Sequence, residues 1–121
     1  MAAILIVEDD TLICELAGMM IQDFGYETVL ARDVEEGLSI LRSPRQFDAL
    51  FTDIYLRRAV FGGCDLARQA IQLRPKLRIL YTTGNAITDK LKALFVRDSH
   101  FLCKPYTAGQ LKNAIGGLFA A

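Results

Sequence analysis

The sequence predicts a doubly wound α/β fold, in which a central parallel sheet of five strands carries helices on both faces. Short apolar runs alternate with amphipathic stretches, and about five of each fit into 121 residues. Connections this short force parallel strands with right-handed crossovers. In such folds the functional crevice lies outside the carboxyl ends of the strands, where the strand order reverses. The residues that follow each strand are therefore the candidates for function.

The five predicted strands are short apolar runs that end at polar residues. The first, at 2–7, is continuously apolar, as is typical of a strand buried on both faces. The other four are predicted at 27–31, 47–52, 78–82 and 100–103.

Five helices are predicted between and after these strands. Helical spacing predicts that the core face of the first helix contains Ile13, Leu16, Ala17, Met20 and Phe24. Gly25 is predicted to end this helix. Capping boxes are predicted at Asp33 with Glu36, and at Thr107 with Gln110. The third helix is expected at 64–74. The core faces of the other helices are predicted to contain Val34, Leu38, Leu41, Leu66, Ala70, Leu73, Ile87, Leu91, Leu94, Phe95, Leu111, Ala114, Ile115 and Leu118.

Composition excludes several classes of protein. The chain is 52% hydrophobic and has 14 basic and 14 acidic residues, which argues against disorder and against direct nucleic-acid binding. No apolar run approaches the roughly 18 residues of a membrane span, and no signal peptide is evident. Three cysteines, Cys14, Cys64 and Cys103, have no metal-like spacing and fit inert, buried thiols in a reducing cytoplasm.

The polar residues at the strand ends indicate a site for one phosphoryl group. Glu8 and Asp9 follow the first strand, and Asp53 follows the third. Carboxylates that meet in one crevice need a counter-charge, and a hard divalent cation such as Mg²⁺ suits oxygen ligands. Thr83 and Lys104, at the ends of the fourth and fifth strands, supply a hydroxyl and an ammonium for phosphoryl oxygens. Asp53 could then attack phosphorus and form an aspartyl phosphate.

The motifs that carry this chemistry also match a known family. They are Ile4-Leu5-Ile6-Val7-Glu8-Asp9-Asp10, Asp53, Thr83-Gly84 and Lys104-Pro105-Tyr106. In this order, over essentially the whole chain, they resemble the receiver domain of bacterial two-component response regulators, a flavodoxin-like fold. The resemblance implies one receiver domain over 1–121, without an output domain, and whether it stands alone or is a piece of a larger protein stays open.

The resemblance also implies roles for individual residues. Asp53 would accept a phosphoryl group from a sensor histidine kinase or a histidine phosphotransfer protein. Mg²⁺ would be held by Asp9 and Asp53 directly, by Glu8 largely through water, and by the backbone carbonyl of Tyr55. Thr83 and Lys104 would bind phosphoryl oxygens.

Phosphorylation would then change a surface. Thr83 would move toward the phosphate and Phe101 would turn inward, altering the face formed by the fourth helix, fifth strand and fifth helix. The output would pass to a homodimer partner or a downstream protein target. The only chemistry implied is self-phosphorylation from phosphohistidine and autodephosphorylation, so the chain is not expected to be an enzyme in the ordinary sense.

The sequence departs from the family pattern after Asp53. Gly63-Cys64-Asp65-Leu66 matches the end of that pattern, but the loop at 55–62 is about two residues longer and lacks proline. Arg57 and Arg58 in this loop are most simply a solvated pair, although they could attract an acidic partner or replace part of the metal's charge. Phe101 stands where tyrosine is commoner.

Other interpretations compete with phosphoryl acceptance. Asp10 is expected to cap the first helix, and His100 to be a surface residue rather than a phosphodonor. An aspartate-nucleophile phosphohydrolase typically has a second acid two residues after the nucleophile, where this chain has Tyr55. A receiver-like module that binds proteins without being phosphorylated is the main alternative. Nucleotide binding is disfavoured because no glycine-rich phosphate loop follows the first strand.

Overall fold

The computed structural model describes residues 2–57 and 59–120, which form a five-stranded parallel sheet. The strands are β1 (Ala3–Val7), β2 (Glu27–Ala31), β3 (Ala49–Asp53), β4 (Arg78–Thr83) and β5 (His100–Cys103). Their order across the sheet is β2-β1-β3-β4-β5, and every neighbouring pair is parallel. This confirms the predicted doubly wound sheet, with the order reversing at β1.

Helices cover both faces of the sheet. They are α1 (Thr11–Asp23), α2 (Val34–Leu41), α3 (Gly62–Leu73), α4 (Asp89–Lys92) and α5 (Ala108–Leu118). Side chains of α1 and α5 pack with one face of the central strands, and those of α2, α3 and α4 pack with the other. Each face therefore has its own apolar core, which holds β1 and β3 rigidly between two layers.

Several local predictions are confirmed. The bounds of β2 and β5 are those predicted, and Gly25 ends the first helical segment with a φ of 102°, a conformation that favours glycine. Thr107 and Gln110 form the predicted capping box at the start of α5. At α2 only half of the predicted capping box forms: the Oδ1 of Asp33 accepts a hydrogen bond from the Glu36 backbone N–H at 2.8 Å, without a return bond from the Glu36 side chain.

The predicted core face of α1 is wrong in part. Ile13 and Leu16 are 38% and 48% exposed, while the buried positions are Cys14, Ala17, Gly18 and Ile21. The apolar side chains of α1 occupy more than half of its circumference, so their spacing alone does not identify the face that packs on the sheet. Three of the four buried residues are small, and Gly18 lets α1 lie close to β2: a Cβ on Gly18 would come within 3.1 Å of a Leu30 methyl carbon.

The fourth helix is much shorter than its apolar spacing predicts. The helix contains only Asp89–Lys92, and of its predicted core residues Leu91 is buried whereas Leu94 is 41% exposed. Leu73 at the end of α3 is also exposed, at 44%. The predicted third strand began at residue 47, two residues before the observed β3, and α3 begins two residues earlier than expected.

Candidate functional site

The first carboxylates of the site lie where β1 meets α1. The Glu8 N–H donates to the carbonyl of Ala31 at 3.1 Å, which continues the β1–β2 ladder one residue past the strand. Glu8 is consequently held at the sheet edge and is only 5% exposed. Asp10 caps α1 as predicted, since its Oδ1 accepts from the Ile13 N–H at 3.1 Å. Asp9, between them, is half-buried, and one of its carboxylate oxygens, Oδ2, accepts from the Arg57 N–H of the β3–α3 loop at 2.6 Å.

Asp53 is the last residue of β3 and is 8% exposed. It pairs in register with Thr82 of β4, and the next N–H, of Ile54, donates to the Thr82 carbonyl at 2.9 Å. On the other side α3 begins very close by: a Cβ on Gly63 would lie 1.9 Å from the Asp53 carbonyl oxygen. No side chain fits there, so glycine at 63 is what allows the backbone of α3 to pack against Asp53.

Lys104 joins carboxylates from two different strand ends. Its N–H donates to the Thr83 carbonyl at 2.9 Å, which extends the β4–β5 ladder past Cys103, and the following bond to Pro105 is cis. The Lys104 Nζ then donates to Glu8 Oε1 at 2.6 Å and to Asp53 Oδ2 at 2.8 Å. One ammonium group thereby connects Lys104 to two residues that lie 96 and 51 positions earlier in the sequence.

The three predicted metal ligands come together. One carboxylate oxygen from each of Glu8, Asp9 and Asp53 can be chosen so that all three lie within 4.8 Å of one another. The donors are hard oxygens from residues that are buried or half-buried, with no thiol or imidazole among them. This set fits Mg²⁺, which prefers carboxylate oxygens and retains water in its remaining positions.

Burial and charge alter the ionisation of this cluster. Burial raises the pKa of Glu8 to about 7, and the negative charge of Asp53 adds to this effect while the Lys104 hydrogen bond opposes it. Burial lowers the pKa of Lys104, but its hydrogen bonds to Asp53 and Glu8 outweigh burial and leave that pKa above its ordinary value. Lys104 is therefore a permanent cation, and Glu8 is the carboxyl group that can hold a proton near neutral pH.

The two threonines at the end of β4 are used differently. The hydroxyl of Thr82 donates to the Leu102 carbonyl at 2.8 Å and so ties β4 to β5. Thr83 is 1% exposed, and its Oγ1 accepts from the Asn85 N–H at 3.1 Å, which leaves its proton available to another acceptor. Thr83 thus follows the residue paired with Asp53 and carries a hydroxyl that can still donate.

Phe101 lies outward on the edge strand β5 and is 45% exposed. Its ring is 6.2 Å from that of Phe95, which stacks at 4.3 Å on the fully buried ring of Tyr81. The Lys92 ammonium lies 6.0 Å from the Phe101 ring centroid. A row of rings therefore runs from the buried core to the exposed surface beside α4, and hydrophobic spacing in the sequence does not predict that Tyr81 and Phe95 form part of it.

The loop between β3 and α3 contacts the carboxylates directly. The Tyr55 N–H donates to Asp53 Oδ1 at 3.3 Å, and the Arg57 N–H donates to Asp9 Oδ2 at 2.6 Å. The guanidinium Nε of Arg57 lies 3.9 Å from the same oxygen. Arg57 is solvated as predicted, with its side chain 77% exposed, but it also contacts Asp9, which sequence spacing alone could not reveal. Arg58 lies outside the described residues.

The remaining polar candidates lie away from this cluster. His100 is exposed, as predicted. Cys14 and Cys64 are buried, but Cys103 is exposed, so the expectation of three buried thiols is wrong. The reason is that β5 is the sheet's edge strand, where one side of each residue faces solvent.

Comparison with known proteins identifies the family of this chain. The model of the response regulator receiver domain family matches residues 4–116. The chain belongs to this family. It is accordingly a receiver domain of the kind found in two-component response regulators, a signalling module. In the part of the chain that the structure describes, no helix is long and apolar enough to cross a membrane.

Relatives of this receiver domain occur in several bacteria. A response regulator receiver protein of Anaeromyxobacter sp. (strain Fw109-5) is 32% identical over 89 residues, 74% of this chain and 36% of its own length. A probable transcriptional regulatory protein of Picosynechococcus sp. (strain ATCC 27264 / PCC 7002 / PR-6) is 30% identical over 117 residues, 91% of this chain and 46% of its own. The receiver domain therefore spans less than half the length of these curated relatives.

Solved structures agree over nearly the whole chain. A response regulator receiver protein from Sinorhizobium medicae WSM419 superposes with a TM-score of 0.87 at 26% identity, covering 97% of this chain and 93% of that one. A CheY-like response regulator receiver domain protein from Methanospirillum hungatei JF-1 gives 0.86 at 27% identity, with coverage of 97% and 92%. The flavodoxin-like receiver fold inferred from the motifs is thereby confirmed.

Proposed function

We propose that Asp53 accepts a phosphoryl group from a phosphohistidine on a sensor kinase or a histidine phosphotransfer protein, in a reaction that depends on Mg²⁺. The observation that carries the proposal is the convergence of Glu8, Asp9 and Asp53 around the Lys104 ammonium. Such an arrangement combines a nucleophilic carboxylate with a cation-binding cluster and a fixed positive charge, which are the requirements of phosphoryl transfer.

In the proposed reaction a carboxylate oxygen of Asp53 attacks phosphorus. The phosphorus–nitrogen bond of the donor breaks, its electron pair stays on the imidazole nitrogen, and an acyl phosphate forms on Asp53. Hydrolysis reverses the modification: water attacks phosphorus, the phosphorus–oxygen bond to Asp53 breaks, and inorganic phosphate leaves.

Residues of this chain have distinct parts in that step. Lys104, already 2.8 Å from Asp53 Oδ2, would neutralise a phosphoryl oxygen, and the Thr83 hydroxyl would donate to another. Glu8, Asp9 and Asp53 would hold Mg²⁺, with the Tyr55 carbonyl as a further ligand. When bound there, the metal would offset the charge of the phosphoryl oxygens and reduce repulsion among the carboxylates.

We further propose that the output surface lies around α4, β5 and α5. Movement of the Thr83 hydroxyl toward a phosphoryl oxygen would break its contact with the Asn85 N–H at the start of the β4–α4 loop. Phe95, three residues past α4, packs against Phe101 of β5, so a shift transmitted to α4 would reach the exposed face. A homodimer partner or a downstream protein would recognise the changed face.

Intact-mass measurement after incubation with Mg²⁺ and a small acyl phosphate tests the central proposal. One base-labile phosphoryl group is expected on the wild-type chain, and none after Asp53→Asn or in the presence of a chelator. Asp65→Asn is the matched control, because Asp65 is an exposed acid paired with Arg68 on α3 and should leave labelling unchanged.

Two outcomes would replace the proposal. An unmodified wild-type chain in the presence of a competent donor would favour a protein-interaction module that works without phosphorylation. Steady turnover of unrelated phosphate esters would instead favour a phosphohydrolase.

A further inference from the structure

Backbone hydrogen bonds within its own loop hold the main chain of Arg57 beside Asp9. The Leu56 N–H donates to the Ala59 carbonyl at 3.3 Å, and the Ala59 N–H donates back to the Leu56 carbonyl at 2.9 Å. This small bridge holds the turn that contains Arg57, and the Gly62 N–H, at the start of α3, also donates to the Ala59 carbonyl at 2.9 Å. The loop therefore presents both the N–H and the guanidinium of Arg57 to one carboxylate oxygen.

Two cations divide the three carboxylates between them. Lys104 contacts Glu8 and Asp53, and Arg57 contacts Asp9. The two cations differ in exposure: the Lys104 side chain is 23% exposed and the Arg57 side chain 77%. The guanidinium can consequently leave for solvent with little loss of energy, because an exposed ion pair is weak.

From this arrangement we propose that Arg57 is a displaceable counter-ion of Asp9, which lowers the affinity of the site for divalent cations. The inference rests on the proposed function, since it takes Glu8, Asp9 and Asp53 as the metal ligands. A divalent cation bound to Asp9 would be repelled by a guanidinium beside the same carboxylate, so tight binding would favour movement of Arg57 away from it. The backbone N–H of Arg57 does not need to move, and it continues to orient Asp9.

The surroundings of Arg57 give the guanidinium a place to go. A cleft of about 560 Å³ opens next to Asp9, between the 56–59 turn and residues 32–35 at the start of α2. Arg57 itself lines this cleft, along with Asp33 and Glu35. Arg32 also lines the cleft, but the two carboxylates outnumber it, so the displaced guanidinium can move toward Asp33 and Glu35.

Calorimetric titration of metal-free protein with Mg²⁺ measures the effect. Arg57→Ala is expected to bind Mg²⁺ about three- to tenfold more tightly at low ionic strength, because one positive charge close to a divalent ion is removed. Arg57→Lys should stay near the wild-type affinity. The increase in Mg²⁺ affinity of Arg57→Ala should be smaller in 0.5 M salt, because salt screens an exposed charge. A change in loop structure would not show this dependence on salt.

Arg68→Ala is the matched control, since it removes an exposed arginine that pairs with Asp65 away from the carboxylate cluster. Its Mg²⁺ affinity should equal that of the wild type. Thermal unfolding in chelator should show that all variants fold, because these side chains are exposed.

The results separate this inference from the proposed function. A wild-type chain that binds no Mg²⁺ at millimolar concentration would contradict the proposed metal site itself. A wild-type chain that binds Mg²⁺ while Arg57→Ala has the same or weaker affinity would overturn only the role of Arg57. A slower reaction of Arg57→Ala with acyl phosphate at saturating Mg²⁺, without a change in metal affinity, would likewise overturn it in favour of contact with the donor.

Discussion

The Lys104 ammonium donates to Asp53 across 2.8 Å and at the same time to Glu8 across 2.6 Å. One side chain that follows β5 thereby compensates the charges at the ends of β3 and β1. Both carboxylates are buried, so each would be costly to leave without a partner. The same ammonium is thus important for the stability of the fold.

Removal of this ammonium should destabilise the fold in a pH-dependent way. Lys104→Met is expected to lower the free energy of unfolding by about 2 kcal/mol at pH 8, where buried Glu8 would lose the hydrogen bond that favours its charged form. The loss should be smaller at pH 5.5, where Glu8 takes up a proton. Urea unfolding at both pH values measures this. Lys76→Met, at an exposed position, should change stability by less than about 0.5 kcal/mol. An equal loss at the two pH values would contradict the prediction.

Glu8 should make the metal-free protein less stable as pH rises. Its pKa is raised from 4.5 to about 7 by burial, so the native state binds more protons than the unfolded state between these values. The stabilising contribution is therefore complete below pH 4.5 and is lost as the pH rises through 7, by about 3 kcal/mol in total. Unfolding in chelator from pH 5 to 8 should show a steeper decline for the wild type than for Glu8→Gln. Parallel curves would contradict the expected shift.

Gly63 should be intolerant of any side chain. A Cβ there would lie 1.9 Å from the Asp53 carbonyl oxygen, so Gly63→Ala must displace the end of β3 from α3. We expect a loss of more than about 2 kcal/mol in unfolding free energy and slower labelling from acyl phosphate. Gly116→Ala is the control, because its Cβ meets open space on α5 and should stabilise the helix by about 0.5–1 kcal/mol. Similar changes in unfolding free energy for the two substitutions would contradict the close packing of α3 against Asp53.

Phe101 offers a direct optical test of the proposed switch. The chain contains no tryptophan, so Phe101→Trp introduces a single indole at a 45% exposed position. Phosphorylation should shift its emission to the blue as the ring moves inward beside Phe95. Thr83→Ala should abolish the shift while leaving the indole in place. An unchanged spectrum in fully phosphorylated protein would show that Phe101 does not move.

Much of this receiver domain follows from local features of the chain. Apolar runs bounded by polar residues located five strands, and side-chain caps at Asp10 and Thr107 act over three residues, where spacing is informative. The carboxyl ends of parallel strands share one edge, so Glu8, Asp9 and Asp53 could be expected together before any coordinates. Sequence alone therefore determined the fold class and the candidate site.

Contacts between residues far apart in the sequence were decided by the tertiary structure. Which side of α1 is buried depends on how closely that helix meets the sheet, and α4 is one turn long although its apolar spacing suggests more. The bond from the Arg57 N–H to Asp9 spans 48 residues, and the stack of Phe95 on Tyr81 joins a loop to the core. Such contacts depend on the relative placement of whole elements, which hydrophobic periodicity within one segment does not encode.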